Sequence, residues 1–163
     1  MSIMSGNSNT IWNYIINIAN STCANWKKLY FHAEIDKDYG NTRMSLYIVK
    51  GNELIDSYRF LKNSDNTLLE VYWDELLHLI FSFSNNGINK DYLWNIMNII
   101  VDDSLRIKLS FQYGDFNQKY DLEEIVKWEY LTLGLTDNLW ILEDKEKNKL
   151  LKQPPGNPFV NIK

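Results

Sequence analysis

His32, Glu34 and Asp36 alternate with apolar residues in the stretch LYFHAEID, so an extended chain sets all three, together with Tyr30, on one side. An imidazole two residues from a carboxylate is a pairing used for acid–base catalysis, and histidine with Asp or Glu can hold zinc or iron. The same four side chains would equally furnish a polar surface for another molecule.

The other reactive groups do not converge on them. His78 is the second of two histidines, and Glu70, Asp74 and His78 recur every four residues along a helical pattern, on the stripe opposite its apolar face. Such a stripe is ordinarily solvated. With His32 expected on the far side of a sheet from that helix, the two histidines are not expected to share a metal ion. Cys23 is the single cysteine, which rules out a disulfide within the chain and is expected to be a small buried thiol. No G-x-S-x-G turn occurs, and the seven glycines are scattered rather than gathered into a phosphate loop. Asp102-Asp103 suits a hairpin turn, and Glu123-Glu124 suits the first turn of a helix, where carboxylates meet the positive end of the dipole. Arg106, Lys108 and Tyr113 are too few for a nucleic-acid stripe. The reading is of no catalytic residue, no metal and no cofactor; the alternative is a small metal- or ligand-dependent enzyme built on His32, Glu34 and Asp36.

The elements that must position these groups follow from periodicity. Ser8, Asn9 and Thr10 offer caps before a helix in which Ile11, Ile15 and Ile18 share a face. LYFHAEID, RMSLYIVK and ELIDSYRF read as three strands joined by short turns, with Leu29, Phe31, Ala33 and Ile35, then Met44, Leu46 and Ile48, on the apolar side. Thr67 and Glu70 have the capping-box spacing and open the clearest helix, NTLLEVYWDELLHLIFSF. LWNIMNIIV and LRIKLSFQY form a hairpin, the second strand alternating Leu105, Ile107, Leu109, Phe111 and Tyr113 with polar residues. Asp121 with Glu124 caps a further helix that Gly134 ends. EDKEKNK is read as a solvated helix face or turn. The order α-βββ-α-ββ-α predicts an α+β two-layer sandwich, an antiparallel sheet of about five strands with helices on one face and the opposite face open.

A chain of 163 residues with 45% hydrophobic and 23% charged residues suits one soluble domain, residues 1–163, with loose termini expected at 1–8 and 154–163. No leader or membrane-spanning run is recognisable, and a lone cysteine fits the cytoplasm. The net charge of -4 argues against direct nucleic-acid binding and suits a basic partner.

Three segments resemble the YezG-type immunity proteins, antitoxins encoded beside polymorphic bacterial toxins. ANWKKLYFHAEID is similar to a Trp-x-Lys segment opening into a strand that ends in Ala-Glu, with Asn25 and Lys27 where the family commonly has acids. LRIKLSFQYGDF resembles a strand ending in Phe-x-Tyr-x-Asp, carried by Phe111, Tyr113 and Asp115, and KWEYLTLGL resembles the aromatic helix ending in Gly that follows. The likeness spans about residues 10 to 138. It implies a non-enzymatic cytoplasmic protein, without cofactor, that binds a cognate toxin delivered by contact or secretion. Such a toxin is typically a nuclease. Acidic side chains would meet a nuclease's positive cleft. The expected toxin-binding residues are Tyr30, His32, Glu34 and Asp36 on the open sheet face, and Asp115, Asp121, Glu123 and Glu124 near the third helix, with Tyr30, Tyr47 and Trp94 as anchors wherever they are exposed. A homodimer pairing through the open sheet face is a further alternative.

Overall fold

The computed structural model describes residues 3–36, 41–85, 94–112, 122–156 and 161–162. Helix α1 (Ile3–Thr22) leads into strands β1 (Lys28–Asp36), β2 (Asn41–Lys50) and β3 (Glu53–Asp56). Helices α2 (Ser57–Lys62) and α3 (Thr67–Asn85) precede the hairpin of β4 (Ile96–Val101) and β5 (Ile107–Gln112). Helix α4 (Glu123–Leu133), a short 3-10 turn (Leu139–Ile141), helix α5 (Asp144–Leu151) and strand β6 (Asn161–Ile162) complete the chain.

The α+β class and the antiparallel five-stranded sheet are as the periodicity predicts. The sheet order is β5-β4-β1-β2-β3-β6, with β6 joining β3 in parallel. β1 lies between β2 and β4, so Phe31 stands beside Leu46 on one side and Ile99 on the other. Leu29, Phe31, Ala33, Ile35, Leu46 and Ile48 are buried against Ile11, Ile15, Ile18, Leu69, Leu76 and Ile80 of α1 and α3. Each large apolar side chain so enclosed contributes about 1.5–3 kcal/mol, which makes this the main core.

Local departures from expectation have local causes. α1 already runs from Ile3, so Ser8, Asn9 and Thr10 lie within the helix instead of capping it. The third strand is shorter than ELIDSYRF. The Asp56 carboxylate accepts the backbone N–H groups of Tyr58 and Arg59 at 2.9 and 3.2 Å, which turns the chain into α2. At α3 the capping oxygen belongs to Asn66, which accepts the Leu69 N–H at 3.2 Å, one residue before the Thr67 of the expected box. Gly134 ends α4 in the left-handed region at φ 68°, as its position predicts. The β4–β5 turn is pinned by Asp102, whose carboxylate accepts from the Ser104 and Arg106 N–H groups and from Arg106 Nε.

The largest correction concerns the second face of the sheet, which is covered. Tyr30, Tyr47, Val49 and Leu54 from β1, β2 and β3 are buried there with Trp128 and Leu133 of α4. The helices therefore form layers on both sides. The other correction is at β5, where Ile107 and Leu109, with Leu105 in the turn before them, are exposed, because α3 lies mainly over β1 and β2 and reaches the edge strand, among the described residues, through Phe83. Of that row, Phe111 alone among the described residues is tucked in, against Phe83 and Trp94. Tyr113 lies outside the described residues.

Candidate functional site

β1 brings Tyr30, His32 and Glu34 onto the second sheet face by its twofold side-chain alternation, and the register of β4 sets Asn98 directly beside His32. His32 is only 2% exposed. Its Nδ1 lies 2.6 Å from Asn98 Oδ1 and its Nε2 lies 2.8 Å from Glu34 Oε1. Trp128 stacks on the ring, centre to centre 4.8 Å at an interplanar angle of 24°. An oxygen stands against each ring nitrogen and an indole against one face, so neither nitrogen is left to meet a substrate or an ion.

Next to Trp128, α4 uses its opposite faces for two different partners. Tyr47 donates from its hydroxyl to Glu129 Oε1 at 2.8 Å, and Asn138 Nδ2 donates to Glu129 Oε2 at 3.1 Å. Burial and the neighbouring Glu129 carboxylate push the Tyr47 phenol well above its ordinary range, so it keeps the proton that it donates to Glu129. Val126 and Tyr130 pack the other way, onto Leu139, Leu142 and Leu150. Lys127 gathers Glu123, Glu124 and Glu146 at 3.8, 3.6 and 3.5 Å, tying α4 to α5; burial lowers its pKa, but the three carboxylates outweigh that and raise it.

Between α4 and β4–β5 runs an open groove of about 370 Å3. His32 and Asn98 line its floor, Lys108, Ser110 and Gln112 of β5 one wall, and Glu124, Lys127 and Leu131 the other. The wall is mixed in charge, and the buried histidine at its floor has its hydrogen bonds already spent.

Placed in this frame, the sequence-predicted site residues divide. Tyr30, His32 and Glu34 come together but are buried, so the expected open platform is corrected to a covered one, because α4 occupies it. Asp36 at the end of β1 is half-buried. Glu123 and Glu124 are half-buried at the start of α4 and partly neutralised by Lys127. Asp115 and Asp121 lie outside the described residues. Tyr47 and Trp94 are buried and do not present anchors. His78 is exposed on α3, across the sheet from His32, with Glu70 and Asp74 on the same wet stripe. Among the described residues, no three His, Cys, Asp or Glu side chains are placed to hold a metal ion.

Sequence reasoning missed Trp128, Asn98 and Glu129 as parts of this centre. The available signal was on the supposedly polar sides of the strands. Tyr30, Tyr47, Val49, Ile96 and Ile100 all share that face, and so much apolar surface requires a cover.

The sheet carries helices on both faces, and both ring nitrogens of the buried His32 are met by oxygens of Asn98 and Glu34. A family model for YezG-like immunity proteins matches residues 8–149, and the chain belongs to that family. No curated protein matches the chain. Family membership carries an immunity role, the binding of a cognate toxin. No described helix is long and apolar enough to cross a membrane.

Proposed function

We propose that this chain neutralises a nuclease toxin domain encoded by the adjacent gene, acting in the cytoplasm of the producing cell by covering a surface the toxin needs. The observation that carries this reading is the family match over residues 8–149. The geometry is compatible with it, since His32 and Glu34 spend their polar atoms on each other and on Asn98 instead of facing a substrate. Asp36, Glu123 and Glu124, with Asp115 and Asp121, are the acids proposed to approach the toxin's positive surface, where they would speed encounter and fix orientation. An assembly of this kind buries on the order of 1,600 Å2 in total.

Co-expression with the toxin domain encoded immediately upstream tests the reading. Cells carrying both should grow, while cells carrying the toxin alone should not; equal killing with and without this chain would reject it.

A further inference from the structure

β5 ends the sheet on one side. The Asp102 N–H closes onto the Arg106 carbonyl at 3.1 Å, so the alternation of an antiparallel ladder directs the backbone groups of Lys108 and Ser110 toward β4 and those of Ile107 and Leu109 outward. On the side of α1 and α3 this edge carries Ile107 and Leu109, 55% and 47% exposed, with Leu105, 69% exposed, in the turn before them. Leu105 moreover holds φ at 60°, the left-handed region that favours glycine. Leu105 closes the β4–β5 turn, its N–H donating to the Asp102 carbonyl at 2.9 Å, but among the described residues Ile107 and Leu109 beyond it stand exposed on the edge strand, and natural edges are usually blunted against pairing. On its other side the same strand presents Lys108, Ser110 and Gln112 to the groove beside α4.

We propose that the outer edge of β5 receives an extended segment of the toxin as an added strand, with apolar residues against Ile107 and Leu109 and acidic or amide residues toward Lys108. This rests on the immunity reading and names the toxin-docking element within it. Charge selects the occupant. A second copy paired antiparallel about Ile107 would set Arg106 against Lys108, and paired about Leu109 it would bring the Lys108 side chains of both copies to diagonal positions, each opposite a Ser110 and with no acid between them. Two six-residue strands, each Ile107–Gln112, also bury far less than the roughly 1,600 Å2 of a standard stable complex. A toxin segment with acids at alternate positions meets neither objection, and the body of the toxin supplies the remaining area across the groove.

Leu109→Pro tests the edge directly. It removes an N–H that points away from the protein, at a position where an edge strand tolerates proline, and leaves the bonds to β4 in place. Leu109→Glu keeps the backbone and sets a charge against the apolar row. The probe is the purified toxin domain encoded immediately upstream, titrated calorimetrically, with the thermal midpoint of each variant recorded and His78→Ala as a control on the far side. The wild type and His78→Ala should bind alike, and each Leu109 variant should bind about 30-fold more weakly or worse. Should the proline variant unfold, the glutamate variant decides. Folded Leu109 variants that bind at full affinity would overturn the edge proposal and leave the immunity reading intact. A wild type that does not bind would sink both. A wild type that dimerises at micromolar concentration, with Leu109→Pro monomeric, would replace the toxin strand by a second copy.

Discussion

The indole of Trp128 and the imidazole of His32 lie almost parallel, 4.8 Å apart, so that a helix near the end of the chain closes over the central strand of the sheet. The stack couples the titratable centre to the docking of α4. Trp128 also sits beside Tyr47, with ring centres 6.2 Å apart, and within the smaller apolar cluster of the second face. Trp128→Ala is therefore expected to cost about 3–5 kcal/mol in urea denaturation. A loss below about 1 kcal/mol would mean that α4 is not held by this contact.

His32 and Glu34 should behave as one unit. Removing either leaves the other's polar atoms buried without their partner, at about 1–3 kcal/mol each. The double variant His32→Ala with Glu34→Ala should be less destabilised than the sum of the singles, by about 0.5–3 kcal/mol. Strict additivity in a double-mutant cycle would show that the 2.8 Å contact contributes nothing of its own.

Much of this arrangement was legible in the sequence, and the illegible part has a definite cause. The twofold alternation of LYFHAEID and RMSLYIVK marked β1 and β2 with the correct side toward α1 and α3, and Gly134 marked the end of α4. Alternation names which residues share a face but is silent on what lies over that face. Tyr30 and His32 were grouped as polar, although a tyrosine brings a large apolar ring, and the helix able to cover them stands about a hundred residues further on. For β5 the same limit acted in reverse. The pattern correctly marked a strand, but at an edge position α3 covers Phe111 through Phe83 and leaves Ile107 and Leu109 in water.

Asp56 gives a pH-dependent prediction. Burial raises its carboxyl pKa above the ordinary 3.8, against the lowering effect of the N–H groups of Arg59 and Tyr58 that it caps. A raised folded-state pKa makes the contribution to stability largest below 3.8 and lost as pH rises through the folded value. Asn caps a helix about as well as Asp and carries no charge. Asp56→Asn should thus be the more stable protein at pH 7, with its advantage shrinking as the pH falls toward 3.8, as read by thermal midpoints across that range. An advantage that grows on acidification would show the sign to be wrong.

Gly156 is fixed by space. A Cβ there would fall 2.3 Å from the Thr132 carbonyl, where the Gly156 N–H donates to the Tyr130 carbonyl at 3.0 Å. The Tyr130 hydroxyl in turn donates to the Gln153 carbonyl at 3.0 Å. Gly156→Ala should cost about 1–3 kcal/mol and speed hydrogen exchange at Gln153 and Gly156. Unchanged exchange and stability would show that this segment does not rest on α4.

Leu105 offers the opposite trade. At φ 60° it bears the left-handed penalty of about 1–2 kcal/mol, less the entropy that glycine loses on folding. Leu105→Gly is expected to stabilise the isolated protein by up to about 1 kcal/mol while weakening toxin binding, measured on one preparation by denaturation and titration. A glycine variant that is less stable would deny the strain.

Under the proposed function this protein acts by occupying its toxin and turns nothing over. Inhibition of the purified toxin domain, titrated against increasing amounts of this chain, tests it most directly. A binder with high affinity gives activity that falls linearly and vanishes at one equivalent. Loss of toxin activity at a small fraction of an equivalent, progressing with time, would contradict the account and return His32 and Glu34 to consideration as reactive groups.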